Sequence, residues 1–293
     1  MADFLQQVVS GLATGSIYAS LALALVLIHR STQVINFAQG EMATFTTYIA
    51  WTLVDRGASY WLAFALTLVA AFVGGVALER VIIRPVERAS ILTIVMVTIG
   101  LLVALNGAMG WIWSPELKSF PSPFPNRGVD VGGVTISLQD VGVLGVTVVV
   151  VALLYVFFRY TKLGLAMRAA AVAPDASRLA GVRVSWMLAL GWGLAAVLGA
   201  VSGMMVAPSV FLEPNMMQVV VIYAFAAAVL GGINSPVGAI VGGLAIGVTI
   251  NLIGTYADFL GPELNLPVAL LILLAVLLVR PSGLFDRVVV QRV

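Results

Sequence analysis

Long apolar runs alternate with short polar intervals along almost the whole chain. The runs lie near 5–28, 34–54, 60–79, 90–113, 138–158, 186–207, 217–233, 237–256 and 264–280. About 20 helical residues, each rising roughly 1.5 Å, cross a hydrocarbon core about 30 Å thick. The pattern therefore predicts an all-α membrane protein, a polytopic bundle of eight or nine transmembrane helices within one domain covering 1–293. The count stays at eight or nine because the seventh run is short. Only Asn234-Ser235-Pro236 separates it from the eighth, and this pair fits a broken or re-entrant element as well as two crossings.

Two polar intervals are long enough to carry structure of their own. Between 114 and 137, Pro115, Pro121, Pro123 and Pro125 resist helix, whereas the alternation from Val129 to Ile136 predicts a small hairpin turning at Gly132-Gly133. Between 159 and 184 lies an arginine-rich interval holding Pro174-Asp175-Ala176-Ser177-Arg178-Leu179-Ala180-Gly181. These residues read as one short helix with both ends marked. Pro174 suits the first helical position, Asp175 the positive end of the dipole, and Gly181 a left-handed stop. Such a helix is either an interfacial connector or a docking knob for a partner.

Charge sets the orientation. Of the fifteen Lys and Arg residues, Arg30, Arg80, Arg84, Arg88, Arg159, Lys162, Arg168, Arg178, Arg183, Arg280, Arg287 and Arg292 fall on one side of a nine-span topology. Arg56, Lys118 and Arg127 fall on the other. The positive-inside rule puts the N-terminus outside, the C-terminus in the cytoplasm, the loop near 114–137 outside and the interval 159–184 inside. The N-terminus has no positive charge ahead of its apolar run and no small-residue cleavage site, so the first span is expected to stay.

Composition narrows the chemistry. Hydrophobic residues make up 61% and charged residues 10%, with a mean hydropathy of +1.09, too few polar side chains to coat a soluble domain of this length. There is no cysteine and a single histidine, His29, which removes thiolate and histidine-cluster metal sites. The net charge is +2, but the basic residues sit at the ends of apolar runs and form no nucleic-acid patch. Gly11 with Gly15, Gly199 with Gly203, Gly238 with Gly242 and Gly243 with Gly247 repeat at a spacing of four, which brings helix backbones into close approach.

Polar groups at membrane depth point to a pathway, because a charge near the bilayer centre costs about 2.5–3.5 kcal/mol even on the lenient scale. The candidates are Tyr18, Asn36, Gln39, Glu41, Asn106 and Asn251. Asn36 and Gln39 also have capping spacing, with Glu41 near the positive helix end, and the default for Asn106 and Asn251 is an interhelical hydrogen bond. No engine is visible. A phosphate-binding loop needs Gly-Lys-Ser/Thr, yet Lys118 and Lys162 follow Leu117 and Thr161. No carboxylate pair, metal cluster or activated nucleophile suggests an enzyme.

The interval 175–181 resembles the Glu-Ala-Ala-x-x-x-Gly loop of ABC importer permeases, with Asp175 for Glu and Ser177 for the second Ala. Further likeness lies in Gly15-Ser16-Ile17-Tyr18-Ala19, Val34-Ile35-Asn36-Phe37-Ala38-Gln39-Gly40-Glu41, Arg84-Pro85, Gly164-Leu165-Ala166-Met167-Arg168-Ala169, Gly231-Gly232-Ile233-Asn234-Ser235-Pro236-Val237-Gly238-Ala239 and Arg280-Pro281-Ser282-Gly283-Leu284-Phe285. Together these are similar to the permeases for branched-chain amino acids of the LivH type, inner-membrane subunits of bacterial ABC transporters. That resemblance implies a second homologous permease, two cytoplasmic ABC ATPases that bind ATP and Mg, and a periplasmic substrate-binding protein. No cofactor is expected in this chain. The resemblance also implies that Arg168, Pro174, Asp175, Ala176, Ser177, Arg178, Leu179 and Gly181 couple to an ATPase. Related permeases carry urea or short amides, which stays an alternative cargo. A self-sufficient secondary carrier or channel is the alternative from another class.

Overall fold

A computed structural model of the chain describes residues 2–125, 127–131, 134–256, 264–280 and 283–285. Each apolar run becomes helical, because inside a hydrocarbon solvent the backbone must satisfy its own hydrogen bonds. The helices are α1 (Ala2–Thr32), α2 (Gln39–Asp55), α3 (Tyr60–Leu78), α4 (Ile91–Trp113), α5 (Leu138–Tyr160), α6 (Lys162–Val172), α7 (Pro174–Leu179), α8 (Val184–Val210), α9 (Gln218–Gly231), α10 (Pro236–Tyr256) and α11 (Asn265–Val279). A two-stranded hairpin completes the described residues. β1 (Gly128–Val131) pairs antiparallel with β2 (Val134–Ser137), Val131 opposite Val134. Its expected turn, Gly132-Gly133, lies outside the described residues, as do Pro281, Ser282, Arg287 and Arg292.

Among the described residues, six helices are long and apolar enough to cross a membrane: α1, α3 with its extension to Val86, α4, α5, α8 and α10. The other three expected spans are shorter. At 17, 14 and 15 residues, α2, α9 and α11 reach about 25, 21 and 22 Å, short of a full hydrocarbon core. The chain is an all-α polytopic membrane protein.

Beyond Leu78, α3 widens into a π turn at Glu79–Ile83 and then tightens into a 3-10 turn at Arg84–Val86. Pro85 is the cause. It has no N–H to offer the Val81 carbonyl and its ring crowds that oxygen, so the regular ladder cannot run through it.

Backbone contacts divide the chain into two compact units. The first comprises Met1–Val26, Phe124–Gly145 and Val219–Val293. Its helices meet along seams of small residues. A side-chain carbon added at Gly11 would lie 2.7 Å from the Val248 Cα, and one at Gly15 would lie 2.9 Å from the Gly243 carbonyl oxygen. Gly243 in turn abuts Ala19, and Gly247 abuts Gly15, so α1 and α10 run antiparallel with backbones nearly touching. Gly242 lies on Ala227 and Gly238 on Gly231, which makes α9 and α10 an antiparallel helical pair. The fourfold glycine spacing is thus a packing device.

The second unit comprises Leu27–Pro123 and Val146–Gln218. Its centre is α8, where Trp192, Leu198 and Met204 are fully buried. Gly199 faces Gln39 and Ala43, and Gly203 faces Ala43 and Thr47, so α2 runs parallel to α8. Gly75 of α3 closes on the Trp192 carbonyl oxygen and the Ala196 Cβ, each 2.7 Å from an added carbon, while the Tyr60 hydroxyl lies 3.5 Å from the Met204 carbonyl oxygen. Those contacts make α3 antiparallel to α8. The most apolar stretch of α8 is 61% buried, against 17% for α4 and 11% for α5, so the chain itself leaves most of the apolar sides of α4 and α5 uncovered.

Candidate functional site

The arginine-rich interval folds into two helices, α6 and α7. Thr161 starts α6 by accepting the Gly164 N–H on its hydroxyl at 2.9 Å, an N-cap that satisfies one orphan donor of the first turn. Gly164 is obligatory there, because the Phe157 carbonyl occupies the place of a side chain. Met167 and Ala170 continue the buried stripe. The sequence expectation of a single short helix missed α6; Thr161 was the available signal.

The second helix, α7, is the one expected. Pro174 sits in its first turn, and Asp175 lies at the positive end. Gly181 takes φ +82, its N–H donates to the Arg178 carbonyl at 3.0 Å, and the Val182 N–H donates to the Ser177 carbonyl at 2.9 Å. That pair of bonds is a complete Schellman stop. Ser177 is buried, while Leu179 is 92% exposed. The side chains of Asp175 and Arg178 pair with each other at 2.8 Å, both open to water. Arg168 lies on α6, with its Nε buried and without a hydrogen-bond partner. The result is a short, rigid rod that carries a nearly naked leucine.

Of the six intramembrane candidates, four lie in the second unit and two in the first. In the second unit, Asn36 accepts the Ala38 N–H at 3.1 Å on Oδ1 and donates to the Gln39 Oε1 at 3.2 Å. It therefore forms a turn ahead of α2, whose capping position is Ala38. Gln39 is fully buried and donates from Nε2 to the Ala195 carbonyl oxygen at 2.9 Å. Glu41 is also buried, in the first turn of α2. Asn106 donates to the Asn215 Oδ1 at 2.9 Å and to the Pro214 carbonyl at 3.3 Å, tying α4 to the loop before α9. In the first unit, Asn251 donates to both the Gln7 carbonyl and its Oε1, at 2.7 and 2.8 Å, tying α10 to α1. Tyr18 packs its ring 5.1 Å from that of Tyr223, a partner the sequence did not reveal. Among the described residues, no group of three or more His, Cys, Asp or Glu side chains is placed to hold a metal.

Residues 7–279 match the family described as branched-chain amino acid transport system / permease component. The chain belongs to this family. Among its permeases, the chain is 32% identical to the high-affinity branched-chain amino acid transport system permease protein BraD of Pseudomonas aeruginosa, over 99% of this chain and 98% of that one. It is 30% identical to the corresponding LivH of Escherichia coli, with the same coverage. A probable LivH of Methanocaldococcus jannaschii is 32% identical over 90% of this chain and 87% of its own. Among solved structures, PsaBC from Streptococcus pneumoniae in complex with Fab superposes with a TM-score of 0.51 at 13% identity, covering 95% of this chain and 92% of that one. That likeness shows a shared fold. Family membership and the long apolar helices make the chain a multi-pass membrane permease component, which works with partner subunits.

Proposed function

We propose that this chain is the permease subunit of a binding-protein-dependent ABC importer that moves branched-chain amino acids across the bacterial inner membrane. The family match over residues 7–279 supports the transport role, and the names of the relatives support the cargo. The single structural observation that carries the mechanism is α7, a rod of six residues closed at both ends with Leu179 projecting from it.

In this reading the chain forms one transmembrane permease domain with eight or nine crossings, its N-terminus outside and its C-terminus in the cytoplasm. The parallel course of α2 and α8, and the antiparallel courses of α3 with α8 and of α1 and α9 with α10, support that topology. A second homologous permease, two cytoplasmic ATPases carrying ATP and Mg, and a periplasmic binding protein complete the transporter. Leu179 seats in an apolar pocket of an ATPase, with Asp175 and Arg178 at the rim. Pro174 and Gly181 keep the rod stiff, the buried Ser177 holds it against the permease, Ala176 lies on its exposed side, and Arg168 supports it from α6. When the ATPases close on ATP, the rod transmits the movement to the glycine seams, whose backbones slide between outward-open and inward-open packings. Specificity resides in the external binding protein.

Reconstitution tests the reading. Proteoliposomes holding both permeases and both ATPases, supplied with binding protein outside and ATP inside, are expected to accumulate labelled leucine. Uptake by this chain alone would point to a carrier or channel, and uptake of labelled urea with none of leucine would reassign the cargo.

A further inference from the structure

A cleft of about 600 Å³ opens between the π turn after α3 and the turn that leads from α7 into α8. Five arginines line it, Arg80, Arg84, Arg88, Arg178 and Arg183. The nearby carboxylates are Glu87 on its wall, Glu79 beside Arg80, and Asp175, which is spent on Arg178. A positive surplus remains after these are set against the arginines. Guanidinium keeps its charge at every physiological pH, so the surplus is permanent.

Arg80 is the least exposed of the five. The π turn forced by Pro85 carries it, and its guanidinium stacks 3.6 Å from the centre of the Trp186 ring. Its Nε and Nη2 are buried without hydrogen-bond partners. The nearest carboxylate oxygen, from Glu79, lies 3.8 Å from Nε, beyond hydrogen-bond reach. Buried donors with a fixed charge are costly to leave unmade. A planar fork of donors placed over an indole suits a tetrahedral oxyanion.

The surroundings specify the kind of anion. Val81, next to Arg80, is 73% exposed, and Ile91 and Leu92, at the start of α4, are each 66% exposed. Trp186 is half-exposed, and indoles are enriched where headgroups meet acyl chains. Exposed apolar side chains thus lie within a few residues of the cleft's arginines along the chain. We infer that the cleft binds a phosphate ester, the headgroup phosphate of an anionic phospholipid, with Arg80 at its base, the exposed Arg84, Arg88 and Arg183 around its rim, and acyl chains lying along α3 and α4.

The test uses the purified full-length permease in detergent, with lipid retention read by native mass spectrometry against matched-chain phosphatidylglycerol and phosphatidylcholine. Phosphatidylglycerol is expected to be retained at least tenfold better. The pair Arg84→Gln and Arg88→Gln is expected to remove most of that preference, whereas Arg56→Gln, an exposed arginine outside the cleft, leaves it intact. Arg183→Gln alone, checked by circular dichroism, keeps the question decidable if the pair fails to fold. Equal retention of the two lipids, or unchanged preference in every cleft variant, overturns the inference. In a parallel arm, inorganic phosphate is expected to displace the lipid only at millimolar concentration; displacement at micromolar concentration overturns the lipid source in favour of a soluble phosphate. None of these readouts depends on uptake, so they stand or fall separately from the transport reading.

Discussion

The Gln39 side chain of α2 reaches the Ala195 carbonyl oxygen of α8 at 2.9 Å, and it can do so because Gly199, one turn further along α8, has no side chain. An added carbon at Gly199 would lie 2.8 Å from the Gln39 Nε2. Gly199→Ala is therefore expected to displace the amide and leave it buried and unpaired, at a cost of about 1–3 kcal/mol. Gln39→Ala in the same chain is expected to recover part of that loss, because the displaced group is gone. A double-mutant cycle on thermal unfolding in detergent checks this, and strictly additive losses would contradict the geometry.

The glycines divide into two groups with opposite expectations. At Gly243 a side chain would meet the backbone of Ala19, whereas at Gly107 nothing lies within 4 Å. Gly243→Ala must force α1 and α10 apart, an overpacking cost of about 1–3 kcal/mol. Gly107→Ala removes only backbone freedom from α4 and is expected to be neutral or to stabilise by up to about 1 kcal/mol. Unfolding midpoints of the two variants, measured side by side in one detergent, test the contrast.

Most of the fold was legible because its drive is composition. Runs of apolar residues end at Arg56, Arg80 or Arg159 with little ambiguity, and the structure stops α2, α3 and α5 within a few residues of those marks. The rod at 174–181 was legible for another reason: Pro174 and Gly181 each allow few backbone conformations. The polar residues were legible in depth but not in partner. Asn251 bonds Gln7, Asn106 bonds Asn215, and Gln39 bonds Ala195, pairings across 100 or more positions that no local pattern encodes. The cleft escaped for a similar reason. Its arginines come from two stretches about 100 positions apart, and the positive-inside pattern already accounted for them singly.

The exposed pair Asp175–Arg178 separates fold from coupling. Both groups are open to water, and such a pair on a helix contributes no more than about 0.5 kcal/mol. Reversing both charges, Asp175→Arg with Arg178→Asp, keeps an ion pair but turns its polarity against the helix dipole and against any fitted surface. The unfolding midpoint is expected to stay nearly unchanged while ATP-driven uptake falls at least fivefold. Leu179→Asp is expected to lose ATPase co-purification as well. Full uptake by both variants would remove α7 from the coupling mechanism.

Asn251 and Tyr18 lie in the same unit and bear on the route of the cargo in different ways. The Asn251 amide is spent on Gln7, and hydrogen bonds of this kind between membrane helices are worth about 0.6 kcal/mol on average, up to about 1.7. Asn251→Ala should therefore lower stability modestly and leave the half-saturating concentration of cargo unchanged. Tyr18 instead presents a buried ring against Tyr223, and under the proposed importer reading it is a candidate wall of the route. Tyr18→Ala removes that ring and leaves a cavity, so it is expected to cost about 3–5 kcal/mol of stability and, if the ring borders the route, to alter transport rate by more than threefold as well. Transport assays and thermal unfolding on the two variants distinguish a strut from a pathway wall: if Asn251→Ala shifts half-saturation while Tyr18→Ala only destabilises, the two assignments must be exchanged.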